Sequence, residues 1–172
     1  MFSRRQFLVA SGGMGVAALA IGVLPQFAKS SALISEAGAQ EAFEVSHSDS
    51  EWRSILSDEQ YEILREEGTE RAYSSPLNNE HRDGTFACAG CDLPLFSSAT
   101  KFDSRTGWPS FWAPLERAVA TRQDRAFGMV REEVHCRRCG GHLGHVFDDG
   151  PKPTGLRYCM NGLAMKFEPS TI

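Results

Sequence analysis

The five cysteines of this 172-residue chain are the first residues that can carry chemistry, and four of them fall into two pairs. Cys88 and Cys91 frame "CAGC", and Cys136 and Cys139 frame "CRRC". A C-x-x-C turn aims both of its sulfurs the same way, so two such turns can supply four thiolates to a tetrahedral zinc ion. Two disulfides are the alternative, but a C-x-x-C disulfide is usually a redox device in a βαβ context, which neither pair has. The spacing therefore favours one structural zinc ion.

The fifth cysteine, Cys159 in "GLRYCMNG", has no partner by spacing. Arg157 lies two residues before it and Asn161 two residues after it, so on a strand the three side chains would face the same way. A cation near a thiol favours the reactive thiolate. A buried, inert thiol is the alternative role for a single cysteine. The neighbours favour a nucleophile.

Two further stretches contain residues that can assist such a thiol. "GHLGHVFDDGP" supplies His142, His145 and Asp149, which can protonate a departing oxygen. The two histidines could instead bind a metal ion, but the cysteines already complete a tetrahedral site. In "TGWPSF" the indole face of Trp108 can cover a small apolar group, although a core aromatic is the alternative.

These residues need a scaffold, and the sequence predicts a small antiparallel β domain preceded by a helix. Ser57 and Gln60 open "SDEQYEILREEGTER" with a capping-box pattern, and Gly68 should end that helix. After about residue 84 the chain consists of short apolar runs bounded by Gly, Pro, Asp and Asn, which are typical of strands. Two of these strands should flank a turn near Asp124.

The N-terminal residues 1–39 have the layout of a signal peptide. "SRRQFL" resembles the twin-arginine export motif, and a long uncharged stretch leads to the small residues at 37–39. A membrane anchor over residues 7–24 is the alternative. We expect cleavage after Ala39, a polar leader at 40–50 and a domain at 51–168. The chain has a net charge of -4, and residues 1–39 are basic, so the mature acidic protein is a poor nucleic-acid binder.

Four motifs taken together resemble the B-type methionine sulfoxide reductases, from about residue 52 to 168: "CAGC", "KFDSRTGWPSF", "CRRCGGHLGHVFDDGP" and "GLRYCMNG". The resemblance implies a mainly β fold of two antiparallel β-sheets with short N-terminal helices, in which both C-x-x-C turns hold zinc. It also implies reduction of methionine-R-sulfoxide, free or in oxidised proteins, through a cysteine sulfenic acid. A thioredoxin-like or small thiol would be the reductant.

The resemblance also assigns roles to individual residues. Cys159 would attack the sulfoxide sulfur, Trp108 and Phe111 would bind the substrate, and His142 and His145 would bind or protonate the oxygen. Asp149, Arg157 and Asn161 would orient water, histidine and thiolate. For the whole protein we expect a monomer in the periplasm that meets the membrane only through its export signal.

The chain departs from the family pattern in two places. Many members carry a resolving cysteine immediately before "GWPSF", where this chain has Thr106, and many have a serine-containing stretch where this chain has "NGLAM". Two other classes remain open from the residues alone. A zinc-dependent binding module would keep Cys159 inert, and an oxidoreductase acting on disulfides would need one C-x-x-C pair free of metal.

Overall fold

The computed structural model of the protein describes residues 42–125 and 128–171. These residues form two antiparallel β-sheets with two short helices before them, which confirms the predicted fold class. The predicted signal peptide at residues 1–39 lies outside the described residues. Within the described part of the chain, no helix is both long enough and apolar enough to cross a membrane.

Nine strands and two α-helices follow one another in the described residues, besides short 3-10 helices. The helices come first: α1 (Asp49–Ile55) and α2 (Asp58–Glu66). The strands are β1 (Gly84–Cys88), β2 (Pro94–Ser97), β3 (Lys101–Phe102), β4 (Ser110–Phe111), β5 (Val119–Asp124), β6 (Arg131–Cys136), β7 (His142–Phe147), β8 (Arg157–Met160) and β9 (Met165–Pro169).

Both helices begin with a capping box. Ser57 and Gln60 form the predicted box of α2, in which each side chain bonds the backbone N–H of the other residue. Ser48 and Glu51 do the same for α1, which the sequence analysis did not predict. The end of α2 also differs from the prediction, because Glu67 and not Gly68 adopts the left-handed conformation, with φ of 57°.

The strands divide into a three-stranded sheet of order β2-β1-β9 and a six-stranded sheet of order β3-β4-β8-β7-β6-β5. Aromatic rings fill the space between them. The Phe111 ring on β4 stacks on Phe96 of β2 at 4.4 Å and meets the edge of Phe86 on β1 at 4.9 Å, measured between centroids. All three side chains are fully buried, and each contributes roughly 1.5–3 kcal/mol of hydrophobic stabilisation.

The register of the six-stranded sheet aligns a row of polar residues across five strands. Ser110 lies opposite Cys159, and Cys159 lies opposite His145 on its other side. His145 pairs with Glu133, which in turn pairs with Arg122. Because directly opposite residues project from the same face of a sheet, these five side chains share one face. The predicted turn near Asp124 is confirmed, since β5 ends there.

Candidate active site and metal centre

The four paired cysteines converge at one place. Their Sγ atoms all lie within 4.8 Å of one another, and no other group of His, Cys, Asp or Glu among the described residues is arranged for a metal ion. The Cys88 and Cys139 sulfurs are 3.7 Å apart, and those of Cys91 and Cys136 are 3.5 Å apart. Four thiolates around one zinc ion at 2.3 Å would stand ~3.8 Å apart. The donors therefore fit a tetrahedral metal ion, and all five cysteines are free of disulfides.

Backbone hydrogen bonds hold each C-x-x-C pair in a tight turn. The Asp92 N–H donates to the Cys88 carbonyl at 3.0 Å, and the Gly140 N–H donates to the Cys136 carbonyl at 2.9 Å. Helix α2 supports the second turn, because Arg65 on that helix donates to the Cys139 carbonyl at 3.1 Å. The turn geometry follows from the local spacing, but the meeting of the two turns depends on the sheets.

Cys159 lies apart from that cluster, in the middle of the six-stranded sheet. Its partly exposed side chain opens into a cavity of about 130 Å³. The cavity is lined by residues from five parts of the chain: Thr69, Trp108, Arg131, Gly144, His145, Phe147, Cys159 and Asn161. Four of the predicted site residues, namely Cys159, His145, Asn161 and Trp108, therefore meet at one cavity.

Arg157 supplies the cation that the sequence predicted beside the thiol. Its guanidinium makes a bidentate ion pair with Asp149, with both N···O distances at 2.8 Å, and lies over the Phe147 ring at 4.4 Å. The hydrogen bond to Asp149 raises the pKa of Arg157, and its interaction with Cys159 adds to the effect. Asp149 thus acts through Arg157, which it holds close to the thiol.

His145 is bound to a carboxylate that the sequence analysis did not identify. Its Nε2 atom lies 2.9 Å from Asp124, which also accepts a 2.7 Å hydrogen bond from Arg131. Burial lowers the pKa of His145 and outweighs the opposing effect of Asp124. The imidazole is therefore neutral near pH 7, with Nε2–H donating to the carboxylate and Nδ1 unprotonated.

His142 lies three residues earlier on the same strand, deeper in the protein, and has a similar arrangement. Its Nδ1 atom lies 2.8 Å from Glu133, and both side chains are buried. Arg122 also binds Glu133, so that hydrogen bonds from His142 and Arg122 overcome the effect of burial and lower the pKa of this carboxyl. The Nε2 atom of His142 is buried without a protein partner. Such an atom usually serves a water or a ligand.

Glu70 ties together two of the cavity residues. Its backbone carbonyl accepts the Trp108 indole N–H at 3.1 Å, and its backbone N–H donates to the Asn161 side chain at 3.0 Å. Its buried carboxylate accepts the N–H groups of Gly162 and Leu163 at 2.6 and 2.9 Å. Glu70 therefore fixes the indole, the amide and the chain that follows Cys159.

The structure does not bring every predicted residue to the cavity. Phe111, predicted to bind substrate, packs in the core between the sheets, because its neighbour Ser110 takes the face that carries Cys159 and strand alternation sends Phe111 to the other face. Conversely, Glu70, Asp124 and Glu133 were missed. Glu70 and Glu133 stand out in the structure because their side chains are buried, which is rare for acidic residues. The spacing of residues in the sequence does not reveal such burial.

A larger open groove of about 820 Å³ lies elsewhere on the six-stranded sheet. It is lined in part by four residues that form one cross-strand row: Gln123, Glu132, Val146 and Tyr158. This row is next to the row that contains Cys159, so its side chains project from the opposite face of the sheet. None of the predicted catalytic residues lines this groove, so the smaller cavity at Cys159 is the candidate active site.

Fold and site together define a class: a two-sheet β domain with four clustered cysteines that could bind a metal ion, and a separate thiol beside an arginine and two carboxylate-bound histidines. The SelR domain matches residues 56–169, and the chain belongs to that family. A relative from Agrobacterium fabrum, named peptide methionine sulfoxide reductase MsrB, is 56% identical over 126 residues, or 73% of this chain and 93% of the relative.

Two further relatives with the same name come from Thiobacillus denitrificans and Leptospira interrogans. The first is 57% identical over 122 residues, which cover 70% of this chain and 92% of the relative. The second is 51% identical over 127 residues, which cover 73% of this chain and 97% of the relative. The aligned parts are almost whole relatives, so this chain is similar to complete proteins of that name.

Proposed function

We propose that this chain reduces methionine-R-sulfoxide, free or within oxidised proteins, to methionine, with Cys159 as the nucleophile. The observation that carries the proposal is the position of that thiol, which opens into a small cavity with Trp108 and His145 and interacts with Arg157. The name that the relatives share indicates methionine sulfoxide as the substrate, and the resemblance to the B-type family implies the R epimer.

The chemical steps oxidise Cys159 and reduce the substrate. The thiolate attacks the sulfoxide sulfur and forms a sulfur–sulfur bond, while the oxygen takes up two protons and leaves as water. A water molecule then attacks the Cys159 sulfur, which breaks the sulfur–sulfur bond, releases methionine and returns one proton. Methionine sulfur gains two electrons, and Cys159 sulfur loses two and ends as a sulfenic acid. Arg157 favours the thiolate that starts these steps.

The protons that the oxygen needs come from solvent by way of the histidines. His145 is neutral at rest and can take up a proton at Nδ1, because Nε2–H is committed to Asp124. His142 can take up a proton at Nε2, because Nδ1 lies against Glu133. The two rings lie 5.4 Å apart between centroids, and His145 is the one that lines the cavity, so His145 meets the oxygen directly and His142 supports it from beside. Trp108, held by Glu70, gives the substrate methyl group an apolar surface.

The proposal includes one structural zinc ion, which would be bound by Cys88, Cys91, Cys136 and Cys139. When bound, it supplies folding free energy and no chemistry, because four sulfur ligands leave no open position for a substrate. The four-sulfur geometry supports this assignment.

Recycling of the sulfenic acid needs two reducing thiols from outside the chain, which leave as a disulfide while the oxygen leaves as water. Thr106 has no sulfur, and the other four cysteines are assigned to zinc. After one turnover without reductant, the protein should gain the mass of one oxygen. A loss of two hydrogens, with a disulfide at Cys159, would contradict this route.

The proposed site of action is the periplasm, reached by the twin-arginine route. The support is Arg4-Arg5 ahead of an uncharged stretch. Lysine at both positions keeps the charge but removes the planar guanidinium groups that a receptor can recognise. The precursor should then remain in the cytoplasm. A normal amount of mature protein beginning at Gln40 in the periplasmic fraction would contradict this.

The central experiment is an assay of the purified, metal-loaded domain on each methionine sulfoxide epimer with dithiothreitol. We expect turnover of the R epimer and none of the S epimer. The S epimer serves as a matched control because it has the same composition and differs only in the configuration at sulfur. Failure to reduce the R epimer would refute the proposal.

A further inference from the structure

A chain of three hydroxyl groups ends at the candidate nucleophile. The Thr106 hydroxyl lies 3.7 Å from the Cys159 sulfur, within hydrogen-bonding range for sulfur, and 2.8 Å from the Ser104 hydroxyl. Ser104 lies 2.7 Å from Ser110, which lies 3.1 Å from the Trp108 carbonyl. Ser110 is fully buried, so no solvent competes at that end.

Each hydroxyl has one proton to donate, which fixes the direction of the whole chain. A carbonyl only accepts, so the Ser110 proton goes to Trp108 while that bond exists. Ser110 must then accept from Ser104, and Ser104 from Thr106. The Thr106 oxygen can in that case only accept, which suits a neutral thiol that donates its own proton.

A thiolate requires the opposite direction. It has no proton and accepts hydrogen bonds, so Thr106 turns its proton to sulfur and Ser104 and Ser110 each reverse in sequence. Only the bond from Ser110 to the Trp108 carbonyl is given up. The free energy lost with that one hydrogen bond is small compared with the free energy gained from a charge-assisted hydrogen bond to the thiolate. Donors bind an ionised acceptor more strongly than a neutral one.

We infer that Thr106 is a catalytic residue whose hydroxyl donates a hydrogen bond to the Cys159 thiolate, with Ser104 and Ser110 as the residues that position it. The inference rests on the proposed role of Cys159 as nucleophile. It gives the threonine at the place of a resolving cysteine a role of its own, which is to support the attacking sulfur.

Other charged groups also act on this thiol and must be separated from Thr106. Arg157 lies on the same strand, paired with Asp149, while His145 and Arg131 line the cavity from β7 and β6. Unlike these groups, Thr106 can be changed without altering the charge of the site, because valine has nearly the same shape as threonine and lacks the hydroxyl.

The test is the rate at which iodoacetamide alkylates Cys159 as a function of pH, in the full folded domain with its metal, with the modified residue mapped by mass. Thr106→Val should lower the rate at neutral pH about 10-fold and move the whole curve to higher pH, as expected for the loss of a hydrogen bond to a charged acceptor. Thr106→Ser should stay close to wild type. Thr121→Val removes a hydroxyl from an exposed site on β5 and should match wild type.

If Thr106→Val does not fold, Ser104→Ala decides, because it removes the group that turns Thr106. It should shift the curve in the same direction by a smaller amount. Overlap of the wild-type curve with that of the folded Thr106→Val, or with Ser104→Ala where the valine variant is unfolded, overturns the inference. Alkylation does not need sulfoxide reduction, so a wild-type protein that fails the epimer assay but shows these shifts would refute only the proposed function.

Discussion

The metal cluster and the Cys159 site use the same atom, sulfur, in opposite surroundings. The four cluster sulfurs lie within 4.8 Å of one another, so each sulfur has other sulfurs as close neighbours. Cys159 has an arginine, a threonine hydroxyl and a cavity beside it. Four close thiolates repel one another unless a cation neutralises them, whereas one thiolate beside a cation is stable alone.

The comparison shows that the role of a cysteine follows from what approaches its sulfur. Clustered sulfurs can share one metal ion, and the metal then removes them from redox chemistry. The isolated sulfur keeps its lone pairs and an open route to substrate. Mutations at the two sites should therefore have different effects. Loss of a cluster sulfur should impair folding, whereas loss of the isolated sulfur should impair only catalysis.

The largest effect is expected when the cluster loses one ligand. Cys136→Ser leaves three sulfurs for the metal ion, and structural zinc contributes roughly 10 kcal/mol or more of folding free energy in small domains. The variant should lose its metal and melt early, measured by metal analysis and circular dichroism. A folded, metal-free and active variant would refute the role of the cluster.

Loss of the isolated sulfur should abolish catalysis without affecting stability. Cys159→Ser replaces the proposed nucleophile with a hydroxyl that cannot form the sulfenic acid, so R-sulfoxide reduction should fall below about a hundredth of wild type. Metal content and melting temperature should match wild type. Activity well above that level would refute the assignment and restore the view that Cys159 is a core residue.

A smaller effect is expected from the carboxylate that holds His142. Glu133→Gln removes the charge that orients the imidazole, and we expect kcat to fall about tenfold and its pH optimum to move, with KM little changed. Glu132→Gln is the matched control, because the adjacent side chain is exposed on the other face. Equal kinetics for the two variants would show that Glu133 has no influence on the reaction.

The smallest effect concerns acid stability. The pKa of Glu133 is lowered in the folded protein, since the hydrogen bonds from His142 and Arg122 outweigh burial. Its stabilisation is therefore fully present above the ordinary glutamate pKa of about 4.3 and is lost as the pH falls through the lowered value. Melting curves should decline in that range, and less steeply for Glu133→Gln. Parallel curves would contradict the ion pair.

Much of the fold was predictable because its signals are local. A capping box acts over three residues, and the short runs between turn residues marked the strands after residue 84. Local patterns were used to place α2 alone, although Ser48 and Glu51 carry the same pattern at α1, and a second short N-terminal helix was expected only from the family resemblance. Seven residues are too few to be stable alone, and this helix depends on burying Trp52 against the domain.

The sequence by itself determined the sulfur pairs and the isolated Cys159 with Arg157 nearby, since backbone geometry fixes how residues two or three apart relate to one another. Only the tertiary structure decided which distant groups serve them. Asp124 is 21 residues from His145, Thr106 is 53 residues from Cys159, and Glu70 is 92 residues from Gly162. These pairs meet through the packing of the strands and of the loops that join them, which no local spacing encodes, because long-range pairing is selected by burial of the whole core.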